Sequence, residues 1–242
     1  MMMRSWISGL LTATSLVAAP VVASASTLQV TPVTIEVPAP GAVSSVTLAN
    51  PGTDLVNAQV RVFRWLQVDG KEELVETHDV VASPPAVRLQ PGKKSVIRVV
   101  RVNKAPTTAE ETYRLIVDEV PKPPKAGEAG VGFSVRYSIP VFFTTPGATA
   151  NLSWEAVISG GVLVLKASNS GGHHVRLAAL SIANDKSKTI HVSDGLAGYV
   201  LGQSSHLWIV KAKSMRVGST IRITAQGDDG PIEATARVVA AN

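Results

Sequence analysis

Five histidines, His78, His173, His174, His191 and His206, are the side chains of this chain best suited to metal ligation or proton transfer. The adjacent pair His173-His174, beside Gly171-Gly172, could supply half of a metal site. On a strand, however, neighbouring residues point to opposite faces, and no cysteine or carboxylate cluster accompanies the pair in sequence, so a loop or surface role is expected. No GxSxG elbow, HExxH helix or phosphate-binding glycine loop is present, and Gln203-Ser204-Ser205 reads as turn chemistry. The expectation is a protein that is not an enzyme and that needs no nucleotide, cofactor or metal.

The chemistry that remains is recognition by backbone and apolar side chains. Val131, Phe133, Val135, Tyr137, Ile139, Val141 and Phe143 occupy every odd position of VGFSVRYSIPVFF. This two-residue period makes one face of a strand continuously apolar. Strands of soluble domains usually run about 5–6 residues, so a strand of this length must leave its own core or serve something outside it. Pro121 to Gly130, rich in Pro, Gly and Lys, precedes the run as a candidate mobile loop.

The elements that must hold such a strand are themselves strands and turns. Turn signals at Asn50-Pro51-Gly52, Asp69-Gly70, Ser83-Pro84-Pro85 and Gln90-Pro91-Gly92 separate extended segments at 56–66, 87–89, 96–102 and 113–117. Further strands are expected over 152–158, 162–167, 175–182, 190–192, 206–211, 220–225 and 232–239, with turns at Gly160-Gly161, Gly171-Gly172 and Asp228-Asp229-Gly230. No stretch reads as a long amphipathic helix after the leader. The fold class is therefore all-β, as two immunoglobulin-like sandwiches meeting near Thr145-Pro146-Gly147.

Composition narrows the setting. Arg4, an apolar stretch over 10–19 and the small residues Ala23-Ser24-Ala25 have the form of a signal peptide over 1–25. That leaves domains over 26–146 and 147–242 and a soluble, exported chain without a membrane anchor. With no cysteine, each domain must bury a core large enough to stand without disulfides, and the 45% hydrophobic content permits it. The formal charge of +5 is spread over separated lysines without aromatic interleaving, so nucleic acid is not an expected partner.

The ordered segments Asn50-Pro51-Gly52, 60–65 with Gln67 and Asp69-Gly70, Ser83-Pro84-Pro85, Leu89 with Pro91-Gly92, 96–98, Glu111-Thr112-Tyr113-Arg114-Leu115, Glu119-Val120-Pro121 and Ile139-Pro140-Val141-Phe142 resemble the PapD-like periplasmic chaperones of the chaperone-usher pathway. The resemblance covers about 27–146, and the second half adds only a plausible smaller β-domain with Asn169 after a strand. It implies a periplasmic chaperone that completes pilus subunits by donor-strand complementation and passes them to an outer-membrane usher. Val131, Phe133, Val135 and Tyr137 would then fill the subunit's groove, while Ile139, Val141 and Phe143 serve the chaperone's own core. The long edge strand could also pair with its twin in a resting oligomer. The alternative is an exported immunoglobulin-like structural or adhesion protein, in which residues 131–137 are covered by the chain's own packing.

The chain departs from the family pattern in two places. Where the resemblance implies basic residues that anchor the subunit's terminal carboxylate, Pro32 and Pro140 stand, which points to an archaic or alternative branch. Arg114 and Arg136 are the substitute candidates, because a guanidinium can grip a carboxylate with two hydrogen bonds. A buried acidic and basic network between the domains is also implied. Glu110 or Glu111 and Asp228 or Asp229 are its acidic candidates, but Thr144-Thr145 stands where its arginine is expected. The Pro84-Pro85 turn is a candidate for a cis bond.

Overall fold

A computed structural model of the chain describes residues 28–121, 133–184, 189–212 and 215–241. The expected leader and Val131 lie outside the described residues.

The first ten strands enclose one core. They are β1 (Gln29–Thr31), β2 (Ile35–Pro38), β3 (Val43–Ala49), β4 (Val56–Val68), β5 (Lys71–Glu76), β6 (Val80–Ser83), β7 (Ala86–Leu89), β8 (Lys94–Arg101), β9 (Glu111–Val120) and β10 (Arg136–Thr144). One sheet has the order β1-β3-β8-β6 and the other β2-β10-β9-β4-β5, with β7 also on β4. Between β1 and β2 the chain changes sheets just after the cis peptide Thr31-Pro32. The period-two pattern explains the packing: Val46, Leu48, Ile97, Val99, Tyr113, Leu115 and Val117 turn inward from both sheets, and Ile139, Val141 and Phe143 of β10 join them. A further cis bond lies at Ser83-Pro84, one residue ahead of the Pro84-Pro85 pair.

The long run of alternating residues is shorter as a strand than its sequence suggests. Within the described residues it begins at Arg136, and Phe133 to Val135 lie outside the ladder. Its neighbour β9 ends at Val120, where Pro121 has no amide hydrogen to continue the pairing. Val135 is still tethered, since its carbonyl accepts from the Glu119 amide at 2.9 Å and its amide donates to the Glu119 carboxylate at 3.3 Å.

The remaining strands enclose a second core. They are β11 (Leu152–Ser159), β12 (Val162–Asn169), β13 (Val175–Ala183), β14 (Thr189–His191), β15 (Leu196–Val200), β16 (Ser204–Lys211), β17 (Thr220–Gly227) and β18 (Gly230–Ala240). They form one path, β14-β13-β17-β18-β11-β12-β16, with β15 beside β13. The path folds over itself where β11 runs parallel to the end of β18, pairing Ala156 with Val238. Leu163, Leu165, Leu177, Leu180, Ile182, Ile221 and Ile223 fill its interior. β15, which lies between Gly195 and the Gly202 turn and contains Gly198, is an element that the sequence pattern did not announce.

The Asp69-Gly70 signal produces the expected tight hairpin. Val68 pairs with Lys71, and both turn residues have positive φ, 50° and 76°, as a two-residue turn of this hand requires. The hairpin also reaches the second domain, because Leu207 donates its amide to the Gly70 carbonyl at 3.1 Å. A Cβ on Gly70 would lie 2.3 Å from Leu207 Cγ. Gly70→Ala is therefore expected to cost about 1–3 kcal/mol through the left-handed backbone and this clash. Chemical denaturation should show it, and a midpoint unchanged from the parent would contradict the assignment.

Candidate functional site

Alternation gives the β2-β10-β9-β4-β5 sheet a second face, opposite the first core. Trp65 from β4, Thr112 and Arg114 from β9, and Ser138, Pro140 and Phe142 from β10 project there. Trp65 and Phe142 join Tyr199 and Leu201 of the second domain in a small separate core. The Trp65 and Tyr199 rings meet edge to face at 5.4 Å, a favoured aromatic geometry. Gln67 closes the contact at the backbone: its Nε2 donates to the Tyr199 carbonyl at 2.7 Å, and its Oε1 accepts from the Leu201 amide at 2.9 Å.

Beside this core lies a cleft of about 480 Å³ between the domains, with Val33, Thr34, Ser138 and Pro140 on one wall. Two guanidinium groups face it. Arg114 lies with its Cζ 3.5 Å from the centroid of the Trp65 ring, and its side chain is only 11% exposed. Burial pulls its pKa below the usual arginine value, against the opposing fields of Glu72 and Tyr199. Its ion pair with Glu72 is long, at 3.7 Å. The second guanidinium, Arg176 on β13, donates to Asp228 at 2.9 Å. An anion entering the cleft would meet a stacked, partly desolvated cation, where charge-assisted hydrogen bonds are strongest.

An open strand edge leads to this cleft. β10 pairs with β9 from Arg136 to Phe143, but on its other side β2 covers only Val141 to Thr144. Among the described residues, no strand covers that side from Arg136 to Pro140. Phe133, just before the edge, is 65% exposed. Unpaired backbone groups and an exposed aromatic on one line are a template for an added strand.

Residues 27–148 match the family model of the pili and flagellar-assembly chaperones, PapD N-terminal domain. The chain belongs to this family. Pilus chaperones of this kind are periplasmic and non-enzymatic. No curated protein shows significant similarity to the chain. Among solved structures it is similar to a chain of the CsuC-CsuE chaperone-tip adhesion subunit pre-assembly complex from archaic Csu pili of Acinetobacter baumannii. That match has 26% identity and a TM-score of 0.67, covering 90% of this chain and 100% of the other. The SafB chaperone complex with the SafA pilin of Salmonella enterica shares the fold at 18% identity and a TM-score of 0.61, covering 88% and 97%. The YadV chaperone does so at 18% and 0.60, covering 87% and 99%.

Within this chaperone the expected site residues fall into different places. Arg114 is in the cleft. Arg136 is not: it is 67% exposed, pairs with Asp118, and borders a separate groove with Arg61. Burial raises the Asp118 carboxyl, but hydrogen bonds from Arg136 and Arg61 outweigh it and hold the carboxyl below its ordinary range. Tyr137 is half-buried against the first core, and its hydroxyl donates to the Leu28 carbonyl at 2.6 Å, so the chain's own packing already uses it. Pro140 lines the cleft, as its position implied.

The interdomain network also differs from the expectation. Glu110 is its acid, but its partners are the two histidines. His173 Nδ1 and His174 Nδ1 lie 2.8 and 2.9 Å from Glu110 Oε2, and the His174 amide donates to Oε1 at 3.0 Å. His174 lies in a loop, as expected, but the surface alternative is corrected for it, since its side chain is 3% exposed and its ring stacks on Phe142 at 3.6 Å. Residues 171–173 form a bend and His174 follows it before β13 begins, so adjacent rings converge on one point instead of diverging as on a strand. Gly171 makes the bend possible, since a Cβ there would lie 2.2 Å from the Thr149 carbonyl oxygen. Asn169 fixes it by donating to the His173 carbonyl at 2.7 Å. Arg176, on β13 just after this bend, carried no signal of its role in the sequence, because it reaches the cleft only through the arrangement of the two domains.

The other acidic candidates act elsewhere. Glu111 binds Arg101 within the first domain at 2.7 and 2.8 Å, and Asp228 holds Arg176. Hydrogen bonding to Arg101 keeps the Glu111 carboxyl below its ordinary value against the opposing effect of burial. Burial pushes the adjoining Tyr113 phenol up to about 12, so it stays a donor to Glu111 at 3.0 Å. Because the folded Glu111 pKa is depressed, its stabilisation is present above the unfolded value of about 4.5 and lost as pH falls through the folded value. Glu111→Gln should flatten the loss of stability on acidification below about 4.5. A pH profile identical to the parent's would contradict this pairing.

Proposed function

We propose that this chain is a periplasmic chaperone that binds pilus subunits lacking their final strand and completes their fold with the open edge of β10. The observation that carries this reading is the uncovered edge from Arg136 to Pro140, with solvent-exposed Phe133 at one end and the Arg114 and Arg176 cleft at the other. The subunit's strand pairs along the edge. Val131, Phe133 and Val135 enter successive pockets of its groove, each large side chain contributing about 1.5–3 kcal/mol on burial. Tyr137 sits at the border between this donated segment and the chaperone's own core.

Arg114 is the anchor for the subunit's terminal carboxylate. Arg176 supplies a second positive group from the other domain, in place of the basic residues that Pro32 and Pro140 displace. This substitution supports an archaic or alternative type of chaperone. Export uses the signal peptide over 1–25, and the chaperone and second domains span 26–146 and 147–242. The loaded chaperone delivers its subunit to an outer-membrane usher, where exchange for a better-fitting subunit strand releases it. The alternative structural or adhesion role requires the chain to cover residues 131–137 itself, and the exposure of Phe133 weighs against it.

Co-expression with an incomplete pilus subunit tests this. Phe133→Asp should leave the chaperone folded and the subunit insoluble or degraded. Arg114→Ala should weaken capture by about 2–5 kcal/mol, the usual cost of truncating one partner of a buried charge pair. Subunits that stay soluble with Phe133→Asp would refute the donor strand. Unchanged affinity with Arg114→Ala would remove it from the anchor.

A further inference from the structure

The cluster that joins the domains at Glu110 has the composition of a metal centre. One ring nitrogen from each of His173 and His174 and a Glu110 carboxylate oxygen all lie within 4.8 Å of one another. Two imidazole nitrogens and one carboxylate oxygen are a borderline-soft donor set of the kind that takes zinc and neighbouring transition metals. The Nδ1 to Oε2 separations of 2.8 and 2.9 Å are slightly under the roughly 3.3 Å edge of a tetrahedron with arms of about 2.0 Å. Moving the donors apart by a few tenths of an ångström would admit the ion.

We propose that Glu110, His173 and His174 bind one divalent transition-metal ion, zinc in the first instance, which clamps the two domains together. Glu110 comes from the first domain, just before β9, and both histidines come from the bend before β13, so the ion bridges the junction. Its donors are already held. The His174 ring is fixed by its stack on Phe142, and the Glu110 carboxylate by the His174 amide on Oε1. The Glu110 side chain is 1% exposed, so a dication would neutralise a charge that the interior otherwise has to accommodate. His173 is one-third exposed and gives the ion a path from solvent and a side open to a water ligand.

Binding requires each Nδ1 to present a lone pair, so any protons held there move to Nε2 or leave to solvent. For His174 the Nε2 faces Glu36, whose Oε1 is 3.8 Å away. At that distance the Glu36 carboxylate acts through its charge, which favours the tautomer with the proton on Nε2 and leaves Nδ1 for the metal.

The test uses the purified full chain stripped with chelator and titrated with Zn²⁺ by calorimetry and with Co²⁺ by visible absorption. The expected result is one ion per chain, a tetrahedral or five-coordinate Co²⁺ spectrum, and a rise in melting midpoint with Zn²⁺. His173→Ala removes a partly exposed ligand and leaves His174 packed on Phe142. It should keep the parent's circular dichroism while weakening Zn²⁺ at least about 100-fold, since even outer partners of a ligand are worth roughly 10–100-fold. His191→Ala, at an exposed histidine elsewhere, should bind as the parent does. Absence of saturable one-to-one binding, undiminished binding by His173→Ala, or loss of binding in His191→Ala would overturn the proposal.

Discussion

The second half of β10 is buried on both faces, and the rest of the molecule is arranged around that condition. From Ile139 to Thr144 every residue is buried. Ile139, Val141 and Phe143 complete the first core, while Phe142 supports the contact with the second domain. A strand used on both faces can offer a partner only its edge, and β2 covers that edge only beyond Pro140. The position at which β2 begins to pair therefore sets how much backbone remains for an incoming strand. The two domains fix the cleft at the end of that edge, because the apolar contact of Trp65, Phe142, Tyr199 and Leu201 and the bonds from Glu110 to His173 and His174 hold them together.

Charge at the junction is concentrated in two places with opposite signs. On one side, Glu110 is enclosed and satisfied by imidazoles and a peptide amide. On the other, Arg114 lies flat on Trp65 with a long ion pair to Glu72 and faces the cleft. A buried acid with its donors in place stabilises a fixed geometry, whereas a desolvated cation with a distant counter-ion is suited to receive an anion. His174 ties the two together: it hydrogen-bonds Glu110, stacks on Phe142 and lines the cleft.

Much of this was legible in the sequence because it depends on local rules. The period-two runs specify strands, Asp69-Gly70 specifies a two-residue hairpin, and the alternation from Tyr137 to Phe143 specifies which side of β10 is core. What escaped were features made by distant segments meeting. The even residues of β10 gave no sign that Phe142 would be buried, since its partners Tyr199 and Leu201 lie in the other domain. Arg114 was readable as a cation on a strand, but Arg176 joins it only through the domain arrangement. His173 and His174 were judged by strand geometry. They sit instead in a glycine bend that turns both rings the same way. Arg136 had the right chemistry, yet Asp118 opposite it on β9 already takes its charge.

Amide hydrogen exchange along β10, with and without an incomplete pilus subunit, tests the central claim most directly. Strand addition predicts new protection at amides within Arg136 to Pro140 in the complex, while those of Val141 to Phe143, already paired on both sides, change little. A stable complex in which the amides from Arg136 to Ser138 exchange as fast as in the free protein would show that the subunit is held by some other surface.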